Sequence, residues 1–201
     1  MPNFNTFVSI CGGVTAPFLL AGTLMAQTAT DSSNTTENGL AMGEVVSDTR
    51  QVGDTYIQET IADWSLRCIQ AAAGENPCQM YQLLSDESGS PVAEFTMLRL
   101  PEGQQAVGAA TIVVPLETAL QRGLSIKVDD GPSKSYPYAF CNTIGCYARI
   151  GLTAEDVDSY KRGGQAVLTI IPVTAPDQQV NVTLSLNGFT AAFDAASVLD
   201  N

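Results

Sequence analysis

Val180-Asn181-Val182-Thr183-Leu184-Ser185-Leu186 is the stretch that decides the fold. Apolar residues stand at alternate positions with small polar ones between them. That period of two belongs to a β-strand with one buried and one wet face. The same signature recurs upstream. Short β-rich runs are read at residues 56–61, 64–69, 79–84, 92–98 and 106–114, and again at 124–128, 138–141, 146–150, 166–171 and 180–186. Turn-forming clusters separate them, among them Gly74-Glu75-Asn76-Pro77, Ser88-Gly89-Ser90-Pro91, Asp129-Asp130-Gly131-Pro132 and Gly163-Gly164. A strand about every ten residues, joined by hairpin-like turns, predicts an all-β domain: an antiparallel sandwich or barrel. One or two short helices complete the expectation. Thr153 is placed to cap a helix with Glu155 and Asp156 in its first turn, and Lys161-Arg162-Gly163 to end it. Residues 189–199 read as a short amphipathic helix packed on the sheet.

The chain has 201 residues, of which 45% are hydrophobic, enough for a core of its own. Nine Lys and Arg face 21 Asp and Glu, a formal net charge of −12. A surface so negative repels phosphate backbones, so nucleic acid is not an expected partner. It also repels anionic head groups, which leaves membrane contact only through a retained N-terminal segment or a partner complex. Histidine is absent. Ser-His-Asp and Cys-His catalysis and any His-containing zinc site are therefore excluded.

Four of the five cysteines form two close pairs, Cys68 with Cys78 and Cys141 with Cys146, while Cys11 lies in an apolar N-terminal run. An even number downstream of an export segment is the count expected of a disulfide framework in an oxidising compartment. Three connectivities are open, and the turn-like residues 71–77 favour local pairing. Each short loop is worth roughly 2–3 kcal/mol in the chain-entropy model. A redox dithiol would normally be spaced C-x-x-C, and thiolate zinc sites use pairs about two to four apart. A disulfide-exchange protein is accordingly a minor reading.

Residues 7–26 are apolar and rich in small residues, as in a Sec-type signal peptide spanning 1–26 and cleaved near Ala26-Gln27. Gly12, Gly13, Pro17 and Gly22 make the alternative, a retained transmembrane anchor, a poor continuous helix. Residues 27–53 are rich in Ser, Thr, Asn and Gly and read as a flexible linker to a β-domain at 54–201.

No catalytic, cofactor-binding or metal-ligating set stands out. Asp129-Asp130-Gly131 reads as a polar turn, and Glu155, Asp156 and Asp158 lack the regular spacing of a calcium loop. A carboxylate-dependent glycan-active enzyme would draw on Glu94, Glu102, Glu117, Asp129 or Asp130. It needs two of them about 5–9.5 Å apart, and the sequence singles out no pair. Trp64 is expected to anchor the core beside Cys68. The cluster Tyr136-Pro137-Tyr138-Ala139-Phe140 adjoins the Cys141–Cys146 loop, so Tyr136, Tyr138 and Phe140 are candidate recognition residues, with core packing as the alternative.

Several segments together resemble one family. They are Trp64-Ser65-Leu66-Arg67-Cys68 followed by Cys78-Gln79-Met80, Arg122-Gly123-Leu124, and Ile126-Lys127-Val128-Asp129-Asp130-Gly131. Tyr138-Ala139-Phe140-Cys141-Asn142-Thr143-Ile144-Gly145-Cys146-Tyr147-Ala148 and Leu184-Ser185-Leu186-Asn187-Gly188-Phe189 complete the series. In this order they resemble the invasion-associated locus B family across residues 56–196. That resemblance implies a small exported protein of alphaproteobacterial type, periplasmic, associated with the outer envelope or secreted, and it brings no catalytic residues. The expected function is non-enzymatic binding of another protein or an envelope component, host-cell invasion being one setting. A periplasmic accessory subunit of a membrane complex is an alternative form of it.

Overall fold

The computed structural model describes residues 49–199 except residue 87. The expected signal peptide, Cys11 and the linker up to residue 48 lie outside the described residues. Eleven strands follow in chain order: β1 (Thr55–Ile61), β2 (Trp64–Ile69), β3 (Cys78–Ser85), β4 (Pro91–Arg99), β5 (Gly108–Val114), β6 (Leu124–Val128), β7 (Lys134–Tyr136), β8 (Tyr138–Cys141), β9 (Cys146–Leu152), β10 (Gln165–Ile170) and β11 (Val180–Ser185). Helix α1 (Ala154–Arg162) separates β9 from β10, and α2 (Phe189–Ala195) follows β11. Two antiparallel sheets result, ordered β1-β2-β3-β4-β5-β9-β8 and β11-β10-β6-β7. The architecture is an all-β sandwich, as the alternation predicts.

One core joins the layers. Trp64, Met80, Phe95, Met97 and Ile112 of the large sheet pack with Leu124, Ile126, Leu168, Val182 and Leu184 of the small one. Trp64 has no exposed surface and meets Phe95 and Phe189 edge-on, at centroid distances of 5.8 and 5.7 Å. Phe189 in turn contacts Tyr160 of α1 and stacks on Phe193. A connected set of aromatic rings thus ties both helices to the large sheet. Cys68 and Cys78 lie off this core, in a small buried cluster with Leu66 and Tyr56.

Local chemistry sets the helices. Asp156 N–H donates to Thr153 Oγ1, and the Asp156 carboxylate accepts from Thr153 N–H, a reciprocal capping box. That carboxylate also bonds Lys134 of β7, which ties α1 to the edge of the small sheet. Before α2, Gly188 holds φ +83°, and a Cβ there would lie 2.6 Å from Ala62 Cβ and 2.8 Å from Ile61 O. Only glycine lets the helix start so close to the β1–β2 turn.

Three expectations need correction. The helix read at 189–199 stops at Ala195, because Ser197 is claimed by the sheet. Its N–H donates to Cys78 O and its carbonyl accepts from Arg99 N–H, while Leu199 N–H donates to Arg99 O. Residues 197–199 thus act as a short extra strand at the ends of β3 and β4. No strand is read between residues 128 and 138, yet Lys134–Tyr136 forms β7. A 3₁₀ turn at Leu120–Arg122 was not anticipated.

Two predictions follow from these contacts. Gly188→Ala should lower stability by about 2–4 kcal/mol, read as a reduced urea midpoint at unchanged slope, because it adds left-handed strain to a steric clash. A loss below about 1 kcal/mol would contradict the packing. Burial opposes ionisation of Asp156, but Lys134 and Thr153 outweigh it and hold the carboxyl below its ordinary value. Its contribution is therefore complete above about pH 5 and drains away as pH falls through the folded-state pKa. Asp156→Asn should lower neutral-pH stability by about 1–2 kcal/mol and flatten the acid limb of a stability–pH curve.

Candidate interaction surface

Strand alternation sorts the large sheet into two faces. In β2, Trp64, Leu66 and Cys68 are buried inward, which turns Ser65 and Arg67 outward. The registers align outward residues in rows across the strands. One row pairs Arg67 with Gln79 and Leu98 with Ala109 and Gly151, and the next runs Ser65, Tyr81, Thr96, Thr111, Arg149. Leu83, Glu94, Val113, Tyr147 and Phe140 make a third.

Two Arg–aromatic stacks stand on this face. The Arg67 guanidinium lies 4.0 Å over the Tyr81 ring and 3.9 Å from the Glu94 carboxylate. Burial, then Glu94, pushes the Tyr81 phenol up, and Arg67 opposes them. Four strands away, Phe140 and Tyr147 stack at 4.7 Å with rings 12° apart, and Arg149 sits 5.4 Å from the Phe140 centroid. On the strands between the stacks lies a shallow trench of about 390 Å³ floored by Thr96, Leu98, Ala109 and Thr111, with Arg149, Gln79 and the C-terminal Leu199 also lining it. The loop tip beyond it presents Ile144, 74% exposed. Asn142 Oδ1 fixes that tip by accepting from the N–H groups of Ile144 and Gly145.

A second cleft, of about 540 Å³, opens between α1 and the β6–β7 pair and is lined by Lys134, Tyr136, Asp156, Tyr160 and Arg162. Three of its charges, Lys134, Asp156 and Asp129, are already committed. Lys134 pairs with Asp156, whose hydrogen bond raises the lysine pKa. Asp129, at the rim, accepts from the N–H groups of Gly164 and Gln165. Burial pushes both Tyr136 and Tyr160 upward, Tyr160 far above the ordinary phenol range.

The three aromatic candidates do not meet at one site. Pro137 separates β7 from β8, so Tyr136 belongs to the small sheet and Tyr138 to the large one. A bulge between Tyr138 and Phe140 then breaks the alternation that would have kept them on one face. Tyr138 packs against the core, its hydroxyl buried without a hydrogen-bond partner among the described residues and its pKa pushed up to about 12 by burial. Phe140 emerges outward, 44% exposed.

The cysteines pair locally, Cys68 with Cys78 and Cys141 with Cys146, each across directly opposed strand positions with Cα atoms 4.0 Å apart. The five acids are scattered. Glu94 faces Arg67 on β4, and Asp129 caps the β6 turn beside Asp130. Glu102 and Glu117 occupy the loops on either side of β5. No group of three or more His, Cys, Asp or Glu among the described residues could hold a metal ion. Arg67, Tyr81, Tyr147 and Arg149 escaped the sequence reading. The alternation in 64–69 was enough to turn Arg67 outward, but only the strand register could bring it to Tyr81.

The invasion associated locus B (IalB) protein family model matches residues 64–197, which contain both disulfides, both helices and the outer-face stacks. Two Brucella abortus proteins named as invasion protein B homologues, from strain 2308 and from biovar 1 strain 9-941, are each 29% identical over 147 residues. The alignments span 73% of this chain and 83% of those proteins. The fold resembles the crystal structure of invasion associated protein B from Bartonella henselae, with a TM-score of 0.56 at 22% identity, covering 67% of this chain and 91% of that one. With its family match running from Trp64 on β2 to Ser197 beside β3 and β4, this chain belongs to the invasion associated locus B family.

Proposed function

We propose that this chain is an exported, non-enzymatic envelope protein, acting in the periplasm or at the outer envelope, that binds another protein. The observation that carries this is the outer face of the large sheet. It is half-buried by its own apolar and stacked side chains, and among the described residues only the C-terminal segment 197–199 borders it, at the end beside Arg67, Gln79 and Leu98. Contiguous, partly apolar surface of this kind is where soluble proteins meet partners. The disulfides support an oxidising compartment. Relatives are named for invasion rather than for a reaction, which supports a binding role in host-cell invasion or in the envelope generally.

The accessory-subunit form of this proposal differs in its anchoring. No helix among the described residues is long and apolar enough to cross a membrane. Attachment would then come from residues 1–26 or from the partner.

Two measurements test the reading. The intact mass of the protein isolated from its own cells should lack the first 26 residues or so, as signal cleavage requires. A full-length mass would contradict processing and favour an anchored subunit. Zero-length carboxyl–amine cross-linking in intact cells should yield one discrete adduct with another envelope protein. Recovery of the uncoupled protein alone would contradict a protein-binding role.

A further inference from the structure

Resting on that protein-binding reading, we infer that the trench between the two Arg–aromatic stacks is the contact surface, and that its partner presents an apolar ridge flanked by carboxylates. Charge points to this partner. The whole chain carries −12, yet the outward positions of β2–β5 and β9 hold Arg67, Arg149 and a single acid, Glu94. Glu94 faces Arg67, so Arg149 has no carboxylate partner among the described residues. An acid-poor patch bearing a guanidinium without a carboxylate partner among the described residues attracts carboxylates on a protein that repels them elsewhere.

The apolar requirement comes from the floor and margins. Leu98, Ala109 and Val113 lie between the walls, and half of the Leu83 surface is exposed beside them. The outer face of the small sheet differs, carrying Ser125, Lys127, Thr169, Asn181 and Thr183 around a single apolar residue, Val167. The two outer faces therefore have different chemistry, and only the large sheet offers apolar area with arginine at both sides.

The stacks also favour a protein over a glycan. Sugar recognition needs open aromatic faces. Here Tyr81 lies under Arg67, and Phe140 and Tyr147 each turn one ring face to the other. What those contacts do provide is pre-ordering. An arginine already held over a ring loses less side-chain freedom when it meets a carboxylate. Arg and Tyr walls around an apolar floor are the residue types that concentrate binding energy.

The test places a benzophenone amino acid, one substitution at a time, at Leu98 and Thr111 in the trench and at Asn181 and Thr183 on the small sheet. The full-length protein is irradiated in its own cells, and the linked peptide is sequenced by mass spectrometry. Adducts are expected from Leu98 and Thr111, to one protein, at a peptide where Asp or Glu adjoins large apolar residues. Arg149→Glu, at an exposed position, should cut adduct yield about tenfold, and Arg149→Gln by less. Replacing the partner's linked acid by Lys should restore yield in Arg149→Glu. Adducts from Asn181 or Thr183 instead would overturn this surface while leaving protein binding intact. A basic linked peptide, or polysaccharide attached at the trench, would overturn the partner chemistry. Absence of adducts from all four positions would overturn both this inference and the protein-binding reading.

Discussion

The burial of Trp64 is the constraint on which the rest depends. Its indole is the first inward residue of β2 and meets Phe95 of the same sheet and Phe189 of α2. A ring of that size, wholly removed from water, anchors more apolar area than any neighbour. Helix α2 must therefore begin directly above the β1–β2 turn, which in turn demands glycine at 188. The chain leaving α2 is then directed to Cys78 and Arg99, where residues 197–199 act as a short extra strand. One aromatic contact thus connects the sheet, the last helix and the C-terminal strand.

That arrangement also decides which surfaces remain free. The small sheet and both helices cover the inner face of the large sheet, while among the described residues its outer face is bordered only by the C-terminal segment 197–199. Strand register arranges the outward residues. Because Arg67 stands diagonal to Tyr81, and a bulge brings Phe140 beside Tyr147, cations and rings meet at both sides of a trench of small residues. The proposed function uses side chains that the core leaves over.

Much of the fold was legible in local pattern. The 64–69 and 180–186 runs declared their inward faces by alternation, and Thr153-Ala154-Glu155-Asp156 announced its helix through capping chemistry. Features that depend on distant partners were not legible. Lys134–Tyr136 is too short to show a period, and becomes a strand because β6 pairs with it. Residues 196–199 have helical company in sequence, but Cys78 and Arg99 supply a better set of hydrogen bonds. The aromatic cluster at 136–140 was visible as composition, whereas Pro137 and the bulge, which send its members to different sheets and faces, act only through pairing. The candidate surface was less legible still, since its residues come from separate strands.

Hydroxyl-radical footprinting of the protein in intact cells, set against the purified protein, tests the central claim most directly. If the outer face of the large sheet is the surface this protein uses, Leu83, Leu98 and Tyr147 will be labelled less in cells than in isolation. Val167, on the outer face of the small sheet, will be labelled equally in both. Equal labelling of all four residues in cells and in isolation would contradict the account.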